Sequence, residues 1–496
     1  MTGDDARGPQ EVTVVRAAGG TARRSRPLLL ALAAIAVLLI GGAVALVRSG
    51  GRSTPSYPAA WDPRVSGIVQ FVEQHRGMLF EHPVAVRFLP DSQFEKKVSV
   101  PQPTSKSDKE ALSRALGELR ALGLVHGDVN LVASMNSLTQ SGVVGLYVYQ
   151  DKTVYVRGTT MTPFVRVTLA HELTHALQDQ HYDLTKVEAR MANTDEAALV
   201  SLIEGDAIRI QNAYEKTLSP ADQQAYQDEQ SSAQTRAASP GQVPPILRDM
   251  LSFPYIFGPT YIDTLDAGGG TVSIDDAFSR PPVAEAQIVD PVQYPTGWKP
   301  AAVPVPAIPA GDKRVDTPQP FGQVSLFEVL GSRLDYASAW PAVHGWQGDN
   351  SVPYRDHGRT CVAIATRFAT PTDAARFAAA ATRWATSIPG AAVTSAGSGV
   401  GLRSCDPGAA APAPPQVTPS PFDILSARSE IIDSLMTADS VQFPMGACVA
   451  DQMISALGAN GIEVLNSQQR LTPDQQANLE RVVATSAYQC RRSGVS

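Results

Sequence analysis

The segment Thr168-Leu-Ala-His171-Glu172-Leu-Thr-His175-Ala-Leu177 carries two histidines four residues apart, with a glutamate directly after the first. On a helix, His171 and His175 lie on one face about one turn apart, so both imidazoles can bind a single zinc ion. Glu172 can then reach a water on that ion and act as the general base of a hydrolysis. The sequence therefore predicts a helical, hydrolytic Zn2+ site.

A catalytic zinc needs a third protein ligand, and His181 is the first candidate. Its spacing from His171 and His175 is that of the metzincins. That pattern has a glycine where this chain has Gln178, and a glutamine favours continued helix. On an unbroken helix His181 lies about 80° off the metal-binding line. A surface or helix-end position is therefore the competing interpretation of His181.

Two glutamates on the next helix are the other candidates. Glu196 has a competing role, because Asn193 as N-cap would place it in a capping box. Glu204 lies among apolar neighbours, where a carboxylate is costly unless something neutralises it. Gly205 follows it, and a glycine within a helix indicates that another backbone or a ligand approaches closely. We therefore expect Glu204 to be the third zinc ligand.

The motif and the segment Glu204-Gly-Asp-Ala207 resemble the zincin superfamily in its gluzincin branch, and more closely a group of bacterial zinc metallopeptidases. The resemblance extends to Pro254-Tyr-Ile-Phe-Gly258. It implies an α+β, zincin-like metallopeptidase domain that acts on a peptide or protein substrate. One departure is Ile208, which stands where thermolysin-like enzymes have a supporting aspartate.

The residue that stabilises the oxyanion stays open, with Tyr255, Tyr261 and His357 as candidates by residue type. Two other functions also stay open. One is a non-catalytic binding or assembly protein of the cell envelope on a peptidase-derived fold, although such a protein has no use for Glu172. The other is hydrolysis of a cell-wall amide, which needs the same ligands and base.

The segment Leu28–Val47 is uncharged and just long enough to span a bilayer. Arginines are more numerous before it than after it, which favours an N-terminus inside the cell. We therefore expect a cytoplasmic tail at 1–26 and a transmembrane anchor at 27–48, with a cleaved signal peptide as the alternative. This predicts a single-pass protein of the cytoplasmic membrane with the lipid bilayer as partner and an extracytoplasmic catalytic domain.

Composition and cysteines add two expectations. The net charge of −7 and pI of about 5.7 give no sign of nucleic-acid binding. The four cysteines are widely spaced and favour two disulfides in an exported chain. Nearest-neighbour pairing, Cys361–Cys405 and Cys448–Cys490, is favoured because a Pro/Ala linker separates the pairs.

The remaining patterns predict the domain organisation. Val143–Val148 and Thr153–Val156 predict a β-hairpin, and Thr162-Pro163 predicts the start of the motif helix. A proline-rich stretch at 299–320 and an Ala/Pro stretch at 407–420 predict linkers. The predicted domains are a zinc metallopeptidase domain at 61–298, a small α+β domain at 321–406 and a helical, disulfide-stapled domain at 421–496.

Overall fold

The computed structural model describes residues 57–191, 195–237, 243–439, 441–466 and 471–495. The chain divides into two compact units, with the boundary between Asp423 and Ile424. The predicted domains 61–298 and 321–406 both lie in the first unit, where Arg120 binds Asp406 over 2.7 Å.

The predicted membrane anchor is corrected by this structure. No helix in the described parts of the chain is long and apolar enough to cross a membrane. The predicted tail at 1–26 and anchor at 27–48 lie outside the described residues. The α+β class holds, but the predicted transmembrane helix, and with it the bilayer partner and the single-pass membrane location, has no counterpart among the described helices.

The first half of the first unit is mainly helical around a small sheet. Its helices are α1 (Ser66–Arg76), α2 (Asp91–Val98), α3 (Lys106–Ala121), α4 (Leu131–Gly142), α5 (Pro163–Tyr182), α6 (Leu184–Met191), α7 (Glu196–Glu215), α8 (Pro220–Ala237), α9 (Pro245–Ser279) and α10 (Ala286–Val289). Its strands are β1 (Ala85–Leu89), β2 (Gly145–Val148) and β3 (Thr153–Arg157). The predicted hairpin is confirmed as β2 and β3.

The first sheet has the order β1-β3-β2, so β2 is an edge strand. β1 is parallel and β2 antiparallel to the central β3. Because side chains alternate along a strand, the two faces of the sheet enter different cores. Tyr147, Val154 and Val156 pack with α1 and α5, while Leu146 and Tyr155 pack with α2, α4 and α9. The motif helix α5 thus lies directly against one face of this sheet.

The second half of the first unit contains α11 (Gln323–Gly331), α12 (Tyr336–Ala339) and α13 (Pro371–Ala385). Its sheet consists of β4 (Lys313–Arg314), β5 (Trp346–Asp356), β6 (Arg359–Phe368), β7 (Ala392–Ala396) and β8 (Gly399–Cys405). The strands are antiparallel in the order β4-β5-β6-β8-β7. Cys361 and Cys405 face each other across β6 and β8, which confirms the first predicted disulfide.

The proline-rich stretch 299–320 runs alongside β5 instead of forming a free linker. Ala301 N–H donates to the Gln347 carbonyl over 2.6 Å, and Gln319 and Ser351 form a β-bridge. The stretch also contributes β4. Prolines remove backbone donors but tolerate an extended edge position, so the composition does not distinguish a linker from a strand-edge segment.

The second unit is helical, as predicted. It contains most of α14 (Pro421–Asp439), together with α15 (Phe443–Asn466) and α16 (Pro473–Arg492). The Cys448–Cys490 disulfide joins α15 to α16, which confirms the second predicted pair. Val449 and Met453 pack beside this bridge.

Candidate metal centre

Helix α5 begins and continues as its sequence predicts. Thr162 is the N-cap and accepts a hydrogen bond from Val165 N–H over 3.2 Å, with Pro163 as the first helical residue. The helix runs unbroken to Tyr182, so Gln178 does continue it. The middle of α5 is buried around its whole circumference, because it packs against the first sheet, α1, α7 and α8. The two motif histidines therefore lie in the interior.

His171, His175 and Glu204 bring three ligand atoms together. The Nε2 atoms of His171 and His175 are 3.0 Å apart, and Glu204 Oε2 lies 3.1 and 3.3 Å from them. The residues are 2%, 5% and 0% exposed. Ligands about 2.0–2.1 Å from a tetrahedral zinc lie roughly 3.3–3.4 Å apart, so the observed triangle fits that ion closely.

The buried polar atoms around this triangle also fit a cation. Glu204 Oε1 and His171 Nδ1 are buried and have no hydrogen-bond partner among the described residues. Among the protein groups alone, burial raises the pKa of Glu204, but the charge and hydrogen bonds of His175 and His171 outweigh it and bring the pKa to about 2. The anionic carboxylate and two imidazoles form a donor set suited to Zn2+.

Glu172 lies beside the cluster and is only 2% exposed. Its Oε2 accepts a hydrogen bond from the backbone N–H of Tyr147 on β2 over 2.7 Å. Burial raises the pKa of Glu172, against the charges of His171 and His175, which lower it. A carboxylate with a raised pKa, held next to three candidate metal ligands, has the environment of a general base.

The rival ligands lie elsewhere. His181 is exposed, and its Nε2 donates to the carbonyl oxygen of Leu79 over 2.8 Å. Asp195 is the N-cap of α7, so Glu196 is its first residue and the predicted capping box does not form; Asn193 lies outside the described residues. Burial and the charge of nearby Glu188 raise the pKa of Glu196 to about 7.

The oxyanion candidates separate into two groups. Tyr255 and Tyr261 are buried on α9, which packs against the Glu204 helix α7. Burial raises the pKa of Tyr261 well above its usual value. His357 is exposed in the turn between β5 and β6, where it pairs with Asp356. The assignment of the oxyanion donor stays open. His357 belongs to a turn of the second sheet, whereas the motif helix packs against the first sheet.

Sequence reasoning missed two contacts of the cluster. The sequence predicts Gln178 only as a residue that continues the helix, yet its Oε1 lies 3.0 Å from His175 Nδ1. The spacing i, i+3 was the available signal, since such residues are neighbours on a helix surface. Tyr147 contacts Glu172 through its backbone, which no side-chain pattern indicates.

Comparison with known proteins covers a different part of the chain. Residues 313–410 match a family described as a domain of unknown function (DUF8575). This match covers the second sheet with α11, α12 and α13, and lies outside the cluster of His171, His175 and Glu204. No curated protein and no solved structure matches the chain significantly.

Proposed function

We propose that this protein is a zinc-dependent peptidase with Glu172 as its general base. The observation that carries the proposal is the triangle of His171 Nε2, His175 Nε2 and Glu204 Oε2, with sides of 3.0–3.3 Å, next to a buried glutamate. Three ligands plus an adjacent carboxylate are the components of a hydrolytic rather than a purely structural zinc site.

Each protein group has a defined role in this proposal. His171, His175 and Glu204 would hold the ion, which when bound polarises the scissile carbonyl and acidifies water. Glu172 accepts the proton of the attacking water and delivers it to the leaving amine. Its hydrogen bond to Tyr147 N–H keeps the carboxylate at the edge strand β2. An edge strand can pair with an extended peptide, which favours a polypeptide substrate.

The burial of the site restricts the substrate. His171, Glu172, His175 and Glu204 are each at most 5% exposed. A peptide therefore reaches Glu172 only when the elements that cover the site move apart. We expect cleavage of flexible, extended segments in preference to folded proteins.

The test is Glu172→Gln in the full chain, measured with a peptide library and by zinc analysis. The variant should bind one zinc per chain like the wild type, because no ligand is changed. Its hydrolysis rate should fall by about two to four orders of magnitude, the usual contribution of a general base. Wild-type turnover in the variant would contradict the mechanism. A wild-type chain that binds zinc but cleaves no peptide would favour the non-catalytic alternative.

A further inference from the structure

A hydrogen-bonded chain connects His175 to the helix that carries Glu204. Gln178 Oε1 lies 3.0 Å from His175 Nδ1. The same amide donates from Nε2 to Asp206 Oδ2 over 2.9 Å and to the carbonyl oxygen of Ile203 over 3.1 Å. Gln178 and Asp206 are 1% and 0% exposed. His175 and Asp206 are thus linked through one buried side-chain amide.

The neighbours of Gln178 determine the orientation of its amide. The Asp206 carboxylate and the Ile203 carbonyl can only accept hydrogen bonds, so the NH2 group must face them. Oε1 then faces His175 and can only accept. The proton of the neutral imidazole must therefore lie on Nδ1, which leaves the lone pair of Nε2 for a metal ion.

Asp206 is itself held in place by arginines. Arg76 Nε donates to Asp206 Oδ2 over 2.8 Å, and Arg209 lies 3.3 Å from Oδ1. The Arg76 side chain is 1% exposed and also pairs with Asp275 over 2.7 Å. A buried guanidinium fixes the direction of the carboxylate, because neither partner can turn to water. The series of hydrogen bonds thus extends from Arg76 on α1 through Asp206 on α7 to Gln178 on α5.

The two zinc-ligand histidines differ in this respect. His171 Nδ1 is buried and has no hydrogen-bond partner among the described residues, whereas His175 Nδ1 has Gln178. The chain of bonds therefore acts on His175 alone. Helix geometry on α7 separates Asp206 from Glu204 by about 200°. Gln178 connects Asp206 to His175. Helix α7 therefore supplies the ligand Glu204 and also, through Asp206, the support for the ligand His175.

We propose that Gln178 and Asp206 are positioning residues that fix the ring and the tautomer of His175 for zinc binding. The inference rests on the proposed zinc site. Partners behind a metal-bound histidine orient the ring and raise its basicity. Their loss typically weakens metal affinity about 10–100-fold, and we expect a change of that size here.

The test compares Gln178→Met with Gln180→Met in the full chain. Methionine keeps the length of glutamine but not its amide. Gln180 is the matched control, because it lies on the same helix and binds a loop, with Glu81 N–H at 2.7 Å and the His82 carbonyl at 3.0 Å. The dissociation constant for zinc is measured by chelator competition. It should rise about 10–100-fold for Gln178→Met and less than about twofold for Gln180→Met.

A second readout does not need the metal. In zinc-free protein labelled with 15N-histidine, the His175 Nδ1–H proton should exchange slowly with water in the wild type, because Gln178 accepts its hydrogen bond, and it should exchange faster in Gln178→Met. Unchanged exchange and unchanged affinity would overturn the positioning role. A wild type without zinc affinity would instead contradict the proposed function, and the comparison of Nδ1–H exchange would still decide the role of Gln178. If Gln178→Met does not fold, Gln178→Asn, whose amide is one methylene too short, replaces it with the same outcomes.

Discussion

The backbone N–H of Tyr147 lies 2.7 Å from Oε2 of Glu172, and this hydrogen bond connects the edge strand β2 to the motif helix α5. The close approach depends on Gly145, two residues earlier on β2. A Cβ atom at that position would lie 2.5 Å from Thr168 Cγ2 and 2.9 Å from Glu172 Cγ. The strand and the proposed base can therefore meet only because residue 145 has no side chain.

Gly145→Ala should impair catalysis more than metal binding. The added methyl group pushes β2 away from α5 and moves the Glu172 carboxylate, and misplacement of a reacting group by about 1 Å can cost 100-fold. We expect kcat/KM to fall about 10–100-fold with unchanged zinc content. The control is Gly67→Ala on α1, where no described residue lies within 4 Å of the new methyl group. Wild-type activity in Gly145→Ala would separate β2 from the function of Glu172.

The third ligand can be identified by zinc analysis of three variants. Glu204→Ala should lose stoichiometric zinc, because it removes one corner of the ligand triangle. His181→Ala should retain it, since His181 is bonded to the Leu79 carbonyl at the surface. Glu196→Ala should also retain it. Zinc that survives in Glu204→Ala but not in His181→Ala would make the site metzincin-like.

The close backbone contact where α7 crosses α9 leads to a prediction about stability. A Cβ atom at Gly205 would collide with the carbonyl oxygen of Gly258, and one at Gly258 would lie 2.5 Å from the Ser201 carbonyl. Because backbone cannot give way like a side chain, Gly205→Ala should lower the free energy of unfolding by about 1–3 kcal/mol. Denaturant titration measures this. Gly268→Ala should be neutral or stabilising, because no atom of the described parts of the chain lies within 4 Å of the new methyl group.

Local signals predicted the parts of the site that lie within one or two helical turns. Thr162 and Pro163 set the start of α5, and Gln178 continues it, as the structure confirms. Glu204 could be selected because a mid-helix carboxylate next to Gly205 requires an explanation within its own helix. The three ligand residues do meet, although zinc binding itself stays a proposal.

Contacts between separate helices and strands could not be predicted from local sequence patterns. Asp206 points away from Glu204 on α7, so the periodicity of that helix alone predicts no role for Asp206 at the metal. Its connection to His175 depends on where α5 places Gln178. The proline content of residues 299–320 predicts a linker. Their pairing with β5 depends on the partner strand, so the stretch by itself does not reveal it. A single sequence shows residue types but not which buried surfaces meet.

The half-buried Asp195 and the buried Glu285 and Asp349 lie where α7 and α10 begin, near the start of α11. Asp195 Oδ2 accepts from Glu285 N–H over 2.6 Å, and Glu285 Oε1 accepts from Ser325 N–H over 2.8 Å. Asp349 Oδ2 accepts from Gly322 N–H over 3.0 Å. Burial is the main cause that raises the three pKa values, and neighbouring carboxylates add to it for Asp195 and Glu285; the pKa of Asp195 rises to about 6.

These raised pKa values predict that the cluster stabilises the fold at acidic pH and does so less as the pH rises. A group with a higher pKa in the folded state binds its proton more tightly there, so its contribution is complete below the unfolded pKa and is lost above the folded one. For Asp195, whose pKa rises to about 6, the loss falls between about pH 4 and 7. Glu285→Gln removes one charge and its repulsion, so the free energy of unfolding should fall less steeply from pH 4 to 8 than in the wild type. The measurement is urea unfolding across that range, with Glu110→Gln, an exposed carboxylate on α3, as control. An equally steep pH dependence in Glu285→Gln and the wild type would show that the cluster does not control stability in this range.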